Sequence, residues 1–323
     1  MLEIIEPALL TTLQDAGRRG WQAYGVPLSG PMDALALRAA NLLAGNPPEA
    51  AALEIGLTGA SLLAHSDCLV ALAGPGFSLN VYGWHFGSWT TVYVRAGSLV
   101  KIEKTGNGNW GILTLHGGMQ TPPALGSRAT TLRATLTGQA ARPLQAGDIL
   151  PVGPASAFLP GLAGRKIEAP LAYSANPAIR VLPGPQRGWF TTEAITTLYE
   201  STYQISLASD RSGYRLEGPP LARTDGRELL SEGMARGCIQ VPANGQPIVM
   251  QADCPTTGGY PKIASVISAD QPFLAQAPVV SGQIRFVETT IEQAQTSYRD
   301  LIYKLEAQIA NCQPNEDYLW AGF

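Results

Sequence analysis

Histidine and charged residues are scarce in this chain, which narrows the chemistry that it can carry. The 323 residues include only three histidines, His65, His85 and His116, and none has a second histidine or a cysteine at the spacing of metal ligands. We therefore expect no metal site. Charged residues make up 15% of the chain and the net charge is −3, so no basic field favours nucleic acid.

Several common signatures are also absent. The four cysteines form no Cys-x-x-Cys pair, which favours reduced thiols in the cytoplasm. The acidic start lacks the basic residues of a signal peptide, and no window of about 18 uninterrupted apolar residues predicts a membrane helix. There is no Walker A motif, no Gly-x-Gly-x-x-Gly that opens a helix and no Gly-x-Ser-x-Gly elbow. If the reaction uses ATP, we expect another chain to bind it.

Glycine and proline are plentiful, at 35 and 25 residues, and most segments have the pattern of strands. Three segments, 94–102, 144–152 and 279–287, repeat a turn at a central glycine followed by an apolar strand. The length favours two domains. The sequence therefore predicts a mainly β chain with an N-terminal barrel-like domain at 1–165, a proline-rich and glycine-rich linker near 160–178, a second barrel at 178–290, and a helix and tail at 291–323.

Three helices are predicted within this β pattern. The first spans 31–44, with Ser29 and Gly30 before it and Gly45 after it. A shorter helix spans 192–199. The third spans 291–310, where Thr289 and Glu292 have the spacing of a capping box and one face is apolar along its length. The last residues, 318–323, are apolar for a terminus and are expected to dock on this protein or on a partner.

The most informative stretch is 246–267, where two apolar strands flank a polar loop. The loop combines a carboxylate, hydroxyls, a phenol and an ammonium around a Gly-Gly pair. Glycines allow the backbone to approach a ligand closely, and a rigid polar loop between strands is a common way to build a binding site. A solvated hairpin loop would have the same composition, so the residue types alone leave both interpretations open.

A second polar cluster lies at 209–218, where Asp210, Arg211, Arg215 and Glu217 are dense in a chain otherwise poor in charge. Arginine has a planar fork of donors that can hold a carboxylate, although an exposed turn also tolerates such charges. Glu232 is either a turn carboxylate or part of the same pocket.

These clusters, in this order, resemble the allophanate hydrolase subunit 2 family. Its members include the C subunit of 5-oxoprolinase, the Kip antagonist and part of the carboxyltransferase domain of biotin-dependent urea carboxylase. The matching segments are 10–18, 25–33, 53–55, 125–130, 209–218, 231–233, 240–248 and 256–264. The sequence departs from the pattern at Ser212, where many members have Met, and at Ala129, where many have Ser.

The resemblance implies two cyclophilin-like β-barrel domains and a hetero-complex. The implied partners are an allophanate hydrolase subunit 1-like chain and a further 5-oxoprolinase subunit. Together they would use ATP to open 5-oxoproline to glutamate, with no cofactor bound directly by this chain. One alternative is the carboxyltransferase component of a biotin-dependent urea or amide carboxylase, and another is a non-catalytic partner of a Kip-inhibitor-like protein.

5-Oxoproline has a carboxylate and an amide. The resemblance therefore implies roles for residues within the matching motifs. An arginine would anchor the carboxylate, and amide, hydroxyl and backbone N–H groups would polarise the carbonyl oxygen. Asp253 or Tyr260 would accept or relay a proton. The expected substrate-binding residues are Arg128, Arg211, Tyr214, Gln246, Thr256, Thr257, Gly258, Gly259 and Lys262.

Overall fold

The chain is divided into two units, each with its own β-structure. The computed structural model describes residues 1–134, 136, 141–168 and 171–315. The first unit comprises Met1–Arg18, Asp33–Ala172 and Ile302–Phe323, and the second comprises Arg19–Met32 and Tyr173–Leu301. Each unit therefore includes a segment that is distant in sequence from the rest of it. The apolar tail at 318–323 lies outside the described residues.

In the first unit, two antiparallel sheets share one hydrophobic core. The six-stranded sheet has the order β11-β1-β4-β9-β6-β7 and the five-stranded sheet has the order β2-β3-β10-β5-β8. The strands are β1 (Leu2–Glu6), β2 (Leu10–Gln14), β3 (Ala52–Gly56), β4 (Ala60–Ala64), β5 (Cys68–Ala73), β6 (Phe77–Val81), β7 (Trp84–Gly87), β8 (Thr90–Val94), β9 (Leu99–Lys104), β10 (Trp110–Leu115) and β11 (Ile149–Leu150). Side chains of both sheets, such as Leu62 and Leu113, are fully buried in this core.

The second unit contains a closed barrel of seven strands in the order β12-β19-β16-β17-β14-β13-β20. The barrel closes through the parallel pair of β12 and β20. A two-stranded ribbon, β15 and β18, lies outside it. The strands are β12 (Ala178–Pro183), β13 (Tyr203–Ile205), β14 (Gly213–Glu217), β15 (Glu232–Gly233), β16 (Cys238–Gln240), β17 (Ile248–Met250), β18 (Thr257–Gly258), β19 (Lys262–Val266) and β20 (Gln283–Glu288).

The alternation of polar and apolar residues along the barrel strands explains which side chains face the core and which face the solvent. In β20, Ile284 and Phe286 are buried while Gln283 and Arg285 are exposed, as the period of a strand requires. In β14, Tyr214 and Leu216 are buried, and the charged residues between and after them are exposed. The prediction of a mainly β chain with a barrel is confirmed. No helix among the described residues is long and apolar enough to cross a membrane.

The described residues form the α-helices α1 (Ala34–Leu43), α2 (Thr192–Glu200), α3 (Gln271–Gln276) and α4 (Ile291–Ala310). The predicted start of α1 at residue 31 is wrong. Ser29 and Gly30 have φ of 57° and 87°, in the left-handed region, and the carboxylate of Asp33 accepts a hydrogen bond from Ala36 N at 2.9 Å. Asp33 is therefore the N-cap and not a residue of the first turn. Gly45 has φ of 75° after the helix, as predicted.

The bounds of α4 match the predicted helix at 291–310, but its capping box is shifted by one residue. Thr290 Oγ1 accepts a hydrogen bond from Gln293 N at 3.3 Å, and Thr290 N donates to Gln293 Oε1 at 3.4 Å. Thr289 and Glu292, predicted as the box, do not make this reciprocal pair. The cap therefore uses a glutamine, which supplies the same acceptor as a glutamate.

The apolar face of α4 is buried only towards its C-terminal end. Leu305 and Ile309 are buried, whereas Ile291 and Tyr298 are 58% and 44% exposed. In the first turns the apolar face is therefore not covered by the described residues, and Ile291 and Tyr298 line an open groove.

The capping box leads to a simple stability prediction. Thr290→Ala removes the hydroxyl acceptor for Gln293 N, and we expect the free energy of unfolding to fall by about 1 kcal/mol. Urea unfolding followed by circular dichroism measures it. The matched control is Thr296→Ala, an exposed threonine in the middle of α4, where alanine should be neutral or slightly stabilising. Equal losses in both variants would refute the assigned cap.

Candidate functional site

Arg211 and Asp253, two predicted site residues, form an ion pair that is almost fully buried. Arg211 Nε donates to Asp253 Oδ2 at 2.9 Å, and Nη2 approaches Oδ1 at 3.3 Å. Their side chains are only 3% and 1% exposed. Arg211 Nη2 also donates to the carbonyl oxygen of Gly30 at 2.7 Å. Each ion thus neutralises the other, so the predicted roles of carboxylate anchor and proton acceptor would require this pair to open.

Backbone contacts place the two side chains beside each other. Asp253 N donates to Arg211 O at 2.8 Å, and Gln251 N donates to Ser212 O at 3.0 Å. The turn that precedes β14 therefore runs alongside the loop that follows β17, its neighbour in the barrel. The same loop carries Cys254, whose burial raises the pKa of its thiol to about 11.

Tyr214 and Gln246 are also engaged with the protein's own backbone. The phenol of Tyr214 donates to Ala275 O at 2.9 Å, and this tyrosine is 2% exposed. The carboxamide of Gln246 accepts from Gly218 N at 3.2 Å and donates to Gly218 O at 3.0 Å. Gln246 therefore fixes the turn after β14, although its side chain also lines a surface cleft.

That cleft, which we name the Tyr260 cleft, has a volume of about 500 Å³ and lies on the outside of the barrel in the second unit. Arg215 and Glu217 are two residues apart on β14 and therefore lie on the same face of the strand. Because Tyr214 and Leu216 on the opposite face are buried, this face points outward. Among the described residues, neither charged group has a hydrogen-bond or ion-pair partner. The cleft is lined by Ser206, Arg215, Leu216, Glu217, Gln240, Pro242, Asn244, Gln246, Pro247, Ile248 and Tyr260.

A second cleft in the same unit, the Thr257 cleft, has a volume of about 700 Å³ and no charged side chain in its lining. Its wall includes the short 3₁₀ turn Gln22–Tyr24. The segment after this turn is held by Arg236, whose guanidinium donates to Pro31 O and Met32 O at 2.8 and 2.5 Å. The lining residues are Gln22, Ala23, Gly25, Gly233, Met234, Ala235, Cys238, Thr256 and Thr257.

Gly258 lies between residues of the two clefts. A β-carbon at this position would lie 2.4 Å from Met234 Cε and 3.3 Å from Gln240 Oε1. Met234 lines the Thr257 cleft and Gln240 lines the Tyr260 cleft. The neighbouring Gly259 has no such constraint, since a β-carbon there would meet no atom closer than 3.5 Å. Gly258 thus packs against the end of the Met234 side chain, whereas Gly259 has more space around it.

Lys262 lies beside the ribbon and forms a polar cluster that the sequence does not predict. Its ammonium is 2.5 Å from Glu232 Oε1 and donates to Gly233 O at 3.0 Å. Gln186 Nε2 donates to the same Glu232 oxygen at 2.8 Å. The hydrogen bond from Lys262, followed by that from Gln186, holds the pKa of Glu232 below its ordinary value.

Arg128, the remaining predicted site residue, belongs to the first unit. Its Nε donates to Thr121 O at 2.7 Å and its Nη2 donates to Gln120 Oε1 at 3.1 Å. Its own N–H donates to Asp15 Oδ2 at 2.6 Å. The predicted residues thus fall into a buried pair, two clefts, the Lys262 cluster and this separate loop, and their catalytic and binding roles stay predictions.

Gln240 and Gln186 were not singled out from the sequence and gain importance from this geometry, whereas Arg215 and Glu232 were named there without an assigned role. Strand alternation could have shown that Arg215 and Glu217 face outward together. The contacts of Glu232 and Gln186 depend on strand register and carried no signal in the sequence. Among the described residues, no three His, Cys, Asp or Glu side chains converge as metal ligands.

Comparisons with known proteins agree with this architecture. A family model described as "Carboxyltransferase domain, subdomain A and B" matches residues 24–288. The chain is 39% identical to the C subunit of 5-oxoprolinase from Escherichia coli (strain K12), over 93% of this chain and 95% of that protein. It is 35% identical to the C subunit of 5-oxoprolinase from Haemophilus influenzae, over 91% and 93% of the two chains.

Solved structures extend the similarity to larger enzymes. The Kluyveromyces lactis urea carboxylase superposes with a TM-score of 0.87 at 26% identity, over 95% of this chain but only 29% of that one. The K. lactis urea amidolyase superposes with a TM-score of 0.86 at 27% identity, over 98% of this chain and 20% of that one. From the family match and these relatives, the chain belongs to the family of carboxyltransferase subdomains A and B, of the allophanate hydrolase subunit 2 type.

Proposed function

We propose that this chain is a subunit of an ATP-dependent 5-oxoprolinase complex that opens 5-oxoproline to glutamate. Its similarity to proteins named as the C subunit of 5-oxoprolinase extends over nearly the full length of both chains. The structural observation that carries the proposal is the Tyr260 cleft, a small polar pocket with an arginine that has no partner among the described residues.

The cleft matches the chemistry of a lactam that carries a carboxylate. Arg215 offers two parallel N–H donors to the carboxylate. The carboxamide of Gln240 and the phenol of Tyr260, which lacks a hydrogen-bond partner within the described residues, can bond the lactam C=O and N–H. Glu217 lies on the same face as Arg215 and would repel a second carboxylate, which favours a substrate with one.

ATP and the remaining chemistry belong to partner chains in this proposal. The sequence has no phosphate-binding loop, and no cofactor is assigned to this chain. The proposed partners are an allophanate hydrolase subunit 1-like chain and a further 5-oxoprolinase subunit. ATP hydrolysis by that assembly, in the cytoplasm, would drive the ring opening.

A second candidate is the carboxyltransferase component of a biotin-dependent urea or amide carboxylase. The observation that favours it is the superposition on urea carboxylase over 95% of this chain. In that case the same polar cleft would hold the acceptor amide, and biotin would reach it on another chain or domain.

Reconstitution tests the proposal. The candidate subunits are mixed with ATP and 5-oxoproline, and glutamate release is measured with and without this chain. We expect release only from the complete mixture, since no single component has the whole site. Equal rates without this chain would refute the proposal. Biotin-dependent consumption of bicarbonate with urea, and no glutamate release, would favour the second candidate. A tight complex without any turnover would favour a regulatory role.

A further inference from the structure

Ser156 and His116, both in the first unit, form a hydroxyl–imidazole pair that belongs to neither of the two clefts. His116 Nδ1 lies 2.7 Å from the carbonyl oxygen of Ala44, which can only accept, so Nδ1 carries the proton. Nε2 is then an acceptor, and the hydroxyl of Ser156 donates to it at 3.1 Å. The pair therefore has the arrangement of a nucleophile beside a general base that a third group orients.

Close backbone contacts hold the loop of Ser156 against the turn that carries His116. Gly153 N donates to Gly118 O at 3.0 Å. A β-carbon on Gly153 would lie only 2.2 Å from Gly117 O, so this approach of the two segments requires a glycine. Ser156 N also donates to His116 Nε2, at 3.1 Å. The main chain therefore fixes the position of the serine beside the imidazole.

The imidazole of this pair is buried, whereas the serine is accessible. His116 is 5% exposed, and Ser156 is an exposed loop residue. The carbonyl group before that of Ala44, Leu43 O, accepts instead from Arg165 Nη1 at 2.7 Å. The base is thus held in one orientation by the end of α1, and the hydroxyl can still reach a molecule from solution.

We propose that Ser156 is a nucleophile that accepts acyl groups from activated esters or thioesters, with His116 as its general base. Oγ attacks the carbonyl carbon and forms a C–O bond while its proton passes to Nε2. The tetrahedral intermediate then loses its alkoxide or thiolate, which takes the proton from Nε2. Water, deprotonated by the same nitrogen, releases the acyl group as a carboxylic acid and restores the serine. This activity does not depend on the proposed function.

The loop around Ser156 favours an uncharged acyl group. Residues 151–160 include no charged side chain. Phe158, two positions after the serine, is 77% exposed and can contact an alkyl chain. Ala157 N–H, which follows the nucleophile directly, has no hydrogen-bond partner among the described residues and is a candidate donor to the oxygen that becomes negative.

Labelling of the full chain with an alkyl fluorophosphonate tests the nucleophile. In this reaction an Oγ–P bond forms, the P–F bond breaks, and the proton leaves with fluoride. Peptide mass spectrometry should show an adduct on Ser156 and none on Ser174, an exposed serine whose recorded hydrogen bond is from a backbone N–H. His116→Gln should slow the labelling about 10²-fold. His85→Gln, which changes an exposed histidine paired with Glu103, should not slow it. Equal labelling of the two serines would overturn the proposal.

An acyl donor tests turnover. The wild type should release p-nitrophenolate from p-nitrophenyl butyrate at least about tenfold faster than Ser156→Ala, whereas Ser174→Ala should equal the wild type. Because Ser156 is exposed, its replacement should leave the fold intact. If His116→Gln fails to fold, Ser156→Cys tests the base, since its thiol should react with iodoacetamide about tenfold faster than that of Ser174→Cys. Full release by Ser156→Ala, or equal alkylation of the two thiols, would refute the assignment.

Discussion

Replacement of Asp253 by alanine is expected to lower the free energy of unfolding by about 3–5 kcal/mol. The variant removes a buried carboxylate that pairs with the guanidinium of Arg211, and the two side chains are only 3% and 1% exposed in the native protein. The variant also removes the two hydrogen bonds that Arg211 Nε and Nη2 make to this carboxylate. The loss should therefore be much larger than that of an exposed ion pair.

Chemical denaturation of the purified chain measures this effect. The matched control is Asp300→Ala, because Asp300 is exposed on α4, and its replacement should change stability by less than about 0.5 kcal/mol. The double variant Arg211→Met/Asp253→Leu replaces both ions by apolar groups, and we expect it to recover much of the loss. A loss below about 1 kcal/mol for Asp253→Ala would contradict a buried and energetically important pair.

The same residue was predicted to act as a proton acceptor, and a milder variant separates the two roles. Asp253→Asn retains the shape and one acceptor oxygen of the side chain. If the pair is structural, folded Asp253→Asn should keep most of the complex's turnover. A folded variant that loses turnover by orders of magnitude would instead support the predicted catalytic role of Asp253.

Helices were predictable from the sequence to the extent that local signals determine them. The bounds of α4 were correct because a long apolar periodicity defines them, although the predicted capping pair lay one residue too early. The start of α1 was wrong because two consecutive residues, Ser29 and Gly30, adopt left-handed φ and delay the helix to its true cap at Asp33. The short α3 was not predicted, since its six residues are too few to show a helical period.

The candidate site was predictable in composition but not in arrangement. The loop at 253–262 was identified by its polar residues and glycines, yet the side chains of this loop line different sites. Thr257 and Tyr260, three positions apart in the chain, line separate clefts. The contact of Lys262 with Glu232 depends on how β15 pairs with β18 and how β19 pairs with β16. Such register is set by tertiary packing and not by local residue types.

Arg215 provides the most direct test of where the substrate binds. Its guanidinium is exposed in the Tyr260 cleft and has no partner in the described part of the chain, so its removal should leave the fold intact. In Arg215→Met, the substrate carboxylate loses a charged hydrogen-bonding partner worth about 1.5–3 kcal/mol. We therefore expect the KM for 5-oxoproline in the reconstituted complex to rise about 10- to 100-fold.

Three comparisons make the Arg215 prediction specific. Arg285→Met is the matched control, because Arg285 is an exposed arginine on β20 of the same barrel and lines neither of the two clefts. Its KM should equal that of the wild type. Arg215→Lys retains the charge but not the planar fork, and should fall between the two. A substrate analogue in which the carboxylate is replaced by a carboxamide should bind wild type and Arg215→Met equally well, since it lacks the group that the guanidinium holds. An unchanged KM in Arg215→Met, together with full turnover, would place the substrate carboxylate elsewhere in the complex.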